Sequence, residues 1–339
     1  MANESTRTRK TSGRITLADV AKFVGVGQMT VSRALRTPEA VSEPLRKKIE
    51  QAVVELGYVP NVVARQLASA SSQNLVIVTS SITSTENNLI LSALRQSLAK
   101  LELQIVILVA DQPSWLQELI NHTPQAIVLL NLDCPLNAAE WIKKSHIPTV
   151  EIGHKKSTPI DMSVGIDSKV AMKTMIDFLV DKGHRQIGLL AAKHDLSIFQ
   201  HYLESWRTTL LSKHLDPQLV RYATDDISFS SGVQLFNDAY LEWGNIDALV
   251  FLSDELACGA LYEALRRHIS VPKDIAVVGL GGLDVGSVSY PNLTTIAIPY
   301  EQMGKVAGKQ LLARLTQETV TEKDRIVELP IKLLIRNSV

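Results

Sequence analysis

Cysteine is scarce in this chain of 339 residues: there are two, Cys134 and Cys258, far apart and without ligand-like spacing. That argues against a disulfide framework or a zinc site and suits a reducing cytoplasm. Cys258 falls in the apolar run from Leu256 to Leu261 and is expected to be a buried, inert thiol. Also lacking is any run near the roughly 18 apolar residues of a membrane span, so no membrane partner is expected. Residues 1–14 hold no apolar stretch of the secretory kind, and a cytoplasmic location is the expectation. Net charge is absent too, since 35 Lys and Arg balance 35 Asp and Glu. The balance hides a division. Residues 1–70 carry eleven Lys and Arg against six Asp and Glu, a surplus of five, and the rest of the chain carries the matching deficit. A basic N-terminal fifth on an acidic body is the electrostatic footprint of a nucleic-acid-binding head.

What is present falls into segments. Residues 1–14 are polar and basic and read as a disordered tail. Three helical patterns follow within residues 15–60. The first runs from Leu17 to Val24, with Thr16 as N-cap, Asp19 at the third position and Gly25 as its stop. The second covers Gln28 to Leu35. The third, from Glu43 to Leu56, is expected to be capped by Ser42 and ended by Gly57. Residues 61–74 read as a short helix, beginning at Asn61, and a Ser-rich linker. From Leu75 to the end, short apolar runs alternate with amphipathic helix-length stretches. The runs are Leu75–Val78, Gln104–Val109, Ala126–Leu130, Thr149–Ile152, Gln186–Leu190, Ala248–Leu252 and Ile275–Val278. This is the rhythm of doubly wound parallel sheets, and seven or more strands over this length suit two sheets better than one. Ligands in such an architecture bind beyond the carboxyl ends of the strands.

Residues 16–36, TLADVAKFVGVGQMTVSRALR, meet the mechanical needs of a helix-turn-helix. A tight turn, Gly25-Val26-Gly27, joins two short helices, Ala21 is small enough for their close approach, and Val26 plugs the gap beneath. The second helix then presents Gln28, Met29, Thr30, Ser32 and Arg33 outward, and in such motifs its N-terminal part enters the major groove. Gln28 suits an adenine edge, Arg33 a guanine and Met29 a thymine methyl, while Thr30 and Ser32 are better placed as phosphate anchors. Thr16 belongs to the same contact set. The bland alternative is an ordinary helical hairpin with a polar face.

Together with GYVPNVVARQLAS (57–69), this segment resembles the headpiece and hinge of the LacI/GalR family of transcriptional regulators. The resemblance continues through KGHRQIGLLA (182–191), DELACGAL (254–261), VPKDIAVVGLGGLD (271–284) and PNLTTIAIPYEQMGKVAGKQLL (291–312), so it spans nearly the whole chain. It implies an all-α headpiece plus a periplasmic-binding-protein-like α/β core, and a palindromic operator in double-stranded DNA bound by a homodimer. The family's hinge helix corresponds to Asn61–Ser69. Asn61, Ala64 and Leu67 would touch DNA there, Leu67 as a wedge in the minor groove, though Leu67 can also be read as packing on the headpiece.

The family core implies two subdomains, residues 75–166 with 298–326 and residues 167–297 with 327–339. A small-molecule effector lies between them. Matching positions place Ser81, Ser84, Asn87 and Ile166 on one wall and Tyr202, Ile227, Ser253, Asp254 and Tyr300 on the other. From the residues alone, Asp254 reads equally as a helix N-cap, and Tyr202 and Tyr300 as core aromatics. MTVSRALRTPEAVS (29–42), IPTVEIG (147–153) and GLGGLDVG (279–286) look most like the gluconate-responsive repressors, which makes a sugar acid or sugar the expected effector. The chain departs from that branch at Tyr202 and Tyr300, where arginines are usual, and at Gly281, where an acidic residue is usual. A regulator of another metabolite, or one with altered or lost effector response, is the alternative. An enzyme is the remote rival, since Gly279-Leu280-Gly281-Gly282 lacks the glycine spacing of a dinucleotide loop. A periplasmic solute-binding protein would share the core but not the helix-turn-helix. No cofactor, no catalytic group and no metal site is expected.

Overall fold

The computed structural model describes residues 15–59, 73–112, 114–192, 197–318 and 321–339. The hinge positions Asn61, Ala64 and Leu67 lie outside the described residues. The chain divides into two compact units, split between Ser71 and Ser72.

In the first unit each helix has an apolar stripe too narrow to be stable alone, and three stripes meet. α1 (Leu17–Val24) opens with a reciprocal capping box. The Asp19 amide donates to Thr16 Oγ1 at 3.4 Å, and the Thr16 amide donates to Asp19 Oδ2 at 2.8 Å. α1 closes at Gly25, whose φ of 79° places it in the left-handed region, and the amides of Gly25 and Val26 both donate to the Ala21 carbonyl. α2 (Gln28–Arg36) follows that turn. A single 3-10 turn at Pro38–Ala40 leads to α3 (Glu43–Leu56). Ser42 holds the N-cap position of α3, but its side chain makes no capping hydrogen bond. Val20, Ala21, Val24, Val31, Ala34, Ile49 and Ala52 form the core, with Val26 packed against it from the turn.

The second unit contains two six-stranded sheets. Strands β1 (Asn74–Thr79), β2 (Gln104–Val109), β3 (Ala126–Leu130), β4 (Thr149–His154) and β5 (Met162–Ile166) belong to the first. They alternate with α4 (Thr85–Ser97), α5 (Trp115–Asn121) and α6 (Leu136–Ser145). The chain then crosses to the second sheet through α7 (Ser168–Asp181). There it builds β6 (Ile187–Ala192), α8 (Ser197–Ser212), β7 (Val220–Ala223), α9 (Phe229–Glu242), β8 (Ala248–Phe251) and α10 (Asp254–Arg266). β9 (Ala276–Gly281), the single turn α11 (Val285–Val288) and β10 (Thr294–Ala297) complete that passage. α12 (Tyr300–Leu315) returns to pack on α4, and α13 (Glu322–Arg325) leads into β11 (Ile326–Glu328), which pairs with β5. A last crossing delivers β12 (Lys332–Leu334) to the far edge of the second sheet.

The first sheet runs β11-β5-β4-β3-β1-β2, all parallel. The second runs β12-β10-β9-β8-β6-β7 and is parallel apart from β12. The architecture is thus N-terminal helices followed by two parallel-sheet α/β subdomains. Because β11 lies in the first sheet, the last crossing falls after Glu328. Strands β1, β3, β4, β5, β6, β8 and β9 are buried almost throughout, as expected where helices cover both faces. Two glycines decide how α12 sits on α4. A Cβ at Gly304 would lie 2.2 Å from the Ile90 carbonyl oxygen, and one at Gly308 would lie 2.4 Å from Ser97 Cβ.

Candidate functional site

The first candidate surface is α2. Gln28 and Arg33 are exposed, Thr30 and Ser32 are half-buried, and Met29 is 68% exposed. Met29 thus stands in water at the start of the helix, while Val31 and Ala34 fill the core. No side chain caps the α2 N-terminus at Gly27, so its first-turn amides remain suited to a phosphate oxygen. Thr16 is exposed as well, but its hydroxyl is already engaged: Oγ1 donates to Asp19 Oδ2 at 2.6 Å. That hydrogen bond holds the Asp19 carboxyl below the usual range. Thr16 therefore serves first as the cap of α1.

The second candidate lies within the second unit. Strand ends from both sheets converge on one cavity of about 1120 Å³, mouth included. Ser80 and Ser81 follow β1, Asn131 follows β3, Ile166 ends β5 and Leu280 lies near the end of β9. This is the crevice beyond the carboxyl ends of parallel strands, here formed by two sheets at once. Ser81, Ser84, Asn87, Ile166, Tyr202, Ile227 and Tyr300 all line it.

A hydrogen-bond chain fixes the first wall. Ser84 caps α4, accepting from the Asn87 amide at 3.2 Å, and its hydroxyl donates to Glu86 Oε2 at 2.6 Å. Asn87 Nδ2 donates to Thr79 Oγ1 at 3.1 Å and to the Ser81 carbonyl at 2.9 Å. Asn131 Nδ2 donates in turn to Asn87 Oδ1 at 2.7 Å. Asn131 comes this close because its neighbour is Gly153, where a Cβ would sit 2.6 Å from Asn131 Oδ1. Across the cleft, Thr85 Oγ1 donates to Glu255 Oε1 at 2.5 Å, joining α4 to α10. Tyr202 and Tyr300 belong to the buried core and to the wall at once. Burial, with a smaller push from Glu86, raises both phenols, so they stay protonated and can donate.

Two expected wall residues are elsewhere. Ser253 and Asp254 are fully buried and do not line the cavity. Ser253, not Asp254, is the N-cap of α10, accepting from the Glu255 amide at 3.1 Å. Asp254 points into the second subdomain instead. Thr295 Oγ1 donates to its Oδ1 at 2.6 Å and the Leu283 amide to its Oδ2 at 2.7 Å. Burial pushes its carboxyl up to about 6. The reason for the displacement is space: a Cβ at Gly279 would fall 2.2 Å from Asp254 Oδ1. The glycine in β9, Gly279, thus makes room for Asp254, and Gly282 just after the strand makes room for Ala297. Wall residues that sequence reasoning missed include Glu86, Asn131, Phe199, Asp226, Glu255 and Met303. Their common signal is position within a turn of a strand end or helix start.

Beside the cavity, Asp133, His154 and His201 come together. His154 Nε2 is 3.7 Å from Asp133 Oδ1, His201 Nε2 is 3.6 Å from Asp133 Oδ2, and the two rings lie 4.0 Å apart. Burial, then the neighbouring His201, lowers the His154 imidazole to about 4. Lys156 Nζ lies 2.9 Å from Asp133 Oδ1 and 3.0 Å from Glu151 Oε1. Cys134 and Cys258 are free thiols pushed up by burial, to about 12 and about 11. No helix among the described residues is long and apolar enough to cross a membrane.

Residues 16–61 match the family model of bacterial regulatory proteins, lacI family, and residues 176–339 match that of the periplasmic binding protein-like domain. The chain is 34% identical over 319 residues to the HTH-type transcriptional regulator GntR of Escherichia coli strain K12, covering 91% of this chain and 95% of that protein. Among solved structures it is similar to a LacI-family transcriptional regulator from Silicibacter pomeroyi, with TM-score 0.85 and 26% identity over 96% of this chain and 99% of that one. It is likewise similar to the lac repressor dimer bound to operator and the anti-inducer ONPF, with TM-score 0.75, 26% identity and the same coverage.

Proposed function

Because the chain belongs to the LacI family of bacterial regulatory proteins, being a DNA-binding transcriptional regulator related to GntR, we propose that it is a cytoplasmic, effector-controlled repressor that binds a palindromic operator as a homodimer. The observation that carries this reading is the cavity walled by both subdomains, since a ligand held there biases their arrangement. On the DNA side, Gln28, Met29 and Arg33 read base edges while Thr30, Ser32 and the α2 N-terminus hold phosphates. Asn61, Ala64 and Leu67, which lie outside the described residues, are further positions for contact with DNA on this reading.

Sequence resemblance favours a gluconate-like sugar acid. The wall supports a second reading. Glu86, Asp226 and Glu255 are acidic, and among the described residues lining the cavity there is no Lys, Arg or His; Lys193 and His194, between the lining residues Ala192 and Phe199, lie outside the described residues. A bound carboxylate is stabilised by a fork of N–H donors and disfavoured by facing acids. Hydroxyls from Ser81, Thr83, Ser84, Tyr202 and Tyr300 suit a neutral polyol, and the carboxylates a cationic group. On this second reading the effector is a neutral or cationic, hydroxyl-rich metabolite. Calorimetric titration of the full chain with gluconate, neutral hexoses and amino sugars separates the two readings. Saturable gluconate binding overturns the second. Operator affinity followed by fluorescence anisotropy on DNA from the gene's own neighbourhood then gives the effector's sign. No preference for any duplex over random competitor sinks the whole reading.

A further inference from the structure

We propose that Asp133, His154 and His201 form a divalent transition-metal site that bridges the two subdomains beside the cavity mouth. The three residues come from separate elements. Asp133 lies in the loop between β3 and α6, His154 ends β4, and His201 stands in the first turns of α8, on the opposite subdomain. One candidate ligand atom from each lies within 4.8 Å of the other two. Tetrahedral zinc with bonds of 2.0–2.2 Å needs ligand atoms about 3.4 Å apart. The histidine–carboxylate separations, 3.7 Å to Oδ1 and 3.6 Å to Oδ2, are within a few tenths of an ångström of that, and the three groups must draw in from a spacing of at most 4.8 Å. Two imidazoles with one carboxylate suit Zn²⁺, Ni²⁺ or Co²⁺ rather than Mg²⁺ or Ca²⁺, which take oxygen sets.

Packing alone does not explain the cluster. Two imidazoles at 4.0 Å aim their Nε2 atoms at different oxygens of one carboxylate, at distances too long for hydrogen bonds. Lys156 competes for Asp133, but it also holds Glu151, so it retains an acidic partner when a metal draws on Asp133. The site adjoins the cavity without using its wall. His154 follows the lining residue Gly153 and His201 precedes the lining residue Tyr202. An ion there ties β4 to α8 and favours one arrangement of the two subdomains. The proposal does not depend on the effector or the operator.

The test uses the tag-free full-length chain, freed of metal with a chelator, and titrated with Zn²⁺ by calorimetry and with Co²⁺ by visible absorption. One ion per chain is expected, with the d–d bands of four-coordinate cobalt and a raised melting temperature in Zn²⁺. His201→Asn and Asp133→Asn should each weaken binding by at least about 10-fold and remove the thermal shift. Both side chains are roughly two-fifths exposed, so these variants should keep the parent circular dichroism and melting point without metal. Absence of saturable binding, or affinity unchanged in both variants, overturns the proposal.

Discussion

Asp254 shows how far a single residue's role depends on what surrounds it. Its position after β8 suits a ligand contact, and that much is legible in the sequence; the glycine across from it, which draws the carboxylate inward, sits 25 residues away and is not. The consequence is measurable. The folded chain holds a proton on Asp254 up to about 6, whereas the unfolded chain releases it near 3.8. Stability is therefore greatest below 3.8 with respect to this group, and falls as pH rises from about 4 to about 6. Asp254→Asn cannot titrate, so the stability difference between variant and parent should shift by on the order of 3 kcal/mol across that window. Urea unfolding at pH 4, 5, 6 and 7 checks it, and parallel profiles would refute the inward carboxylate. Arg33 is the simpler case. Its exposure leaves no packing role, so Arg33→Ala should cost about 1–3 kcal/mol at the cognate operator and leave the melting point unchanged. Equal loss on random duplex would make it a phosphate contact.

At the scale of elements, the helix-turn-helix and the buried strands were the readable part, because capping residues, left-handed glycines and continuous apolar runs are local signals. All seven expected strands form. β7, β11 and β12 escape notice because they are three or four residues long and only half-buried. β5 escapes because Ser163 and Gly165 break its apolar run. α8 is a different case: Phe199, Tyr202, Leu203, Trp206 and Leu210 keep a helical period, but His201, Glu204 and Arg207 interleave it with charge. Tyr202 on this helix was legible as a wall residue through the family resemblance, whereas nothing local in the sequence pairs its neighbour His201 with Asp133 and His154. The seat of α12 on α4 gives a sharper test. Gly304→Val places side-chain atoms against the Ile90 carbonyl, and the helices must separate. A loss of about 1–3 kcal/mol is expected from overpacking, read as a lower denaturation midpoint, whereas Gly244→Val, with open space around it, should move it little.

For the molecule as a whole, the uneven charge separates its two binding activities. The basic head meets a polyanion, so the logarithm of operator affinity should fall linearly with the logarithm of salt concentration, by several orders of magnitude in affinity between 50 and 200 mM if six or more phosphates are contacted. Effector affinity, set by hydroxyls in a half-enclosed cleft, should scarcely change over the same range. Equal salt slopes would contradict this division. The three crossings between sheets carry a separate implication for biosynthesis. β5 waits for β11, made 160 residues later, and the second sheet waits for β12 at its edge. On the ribosome, neither sheet can therefore be completed until residues 326–334 have emerged, and the nascent body stays exposed to proteases and chaperones while the helix-turn-helix can already fold.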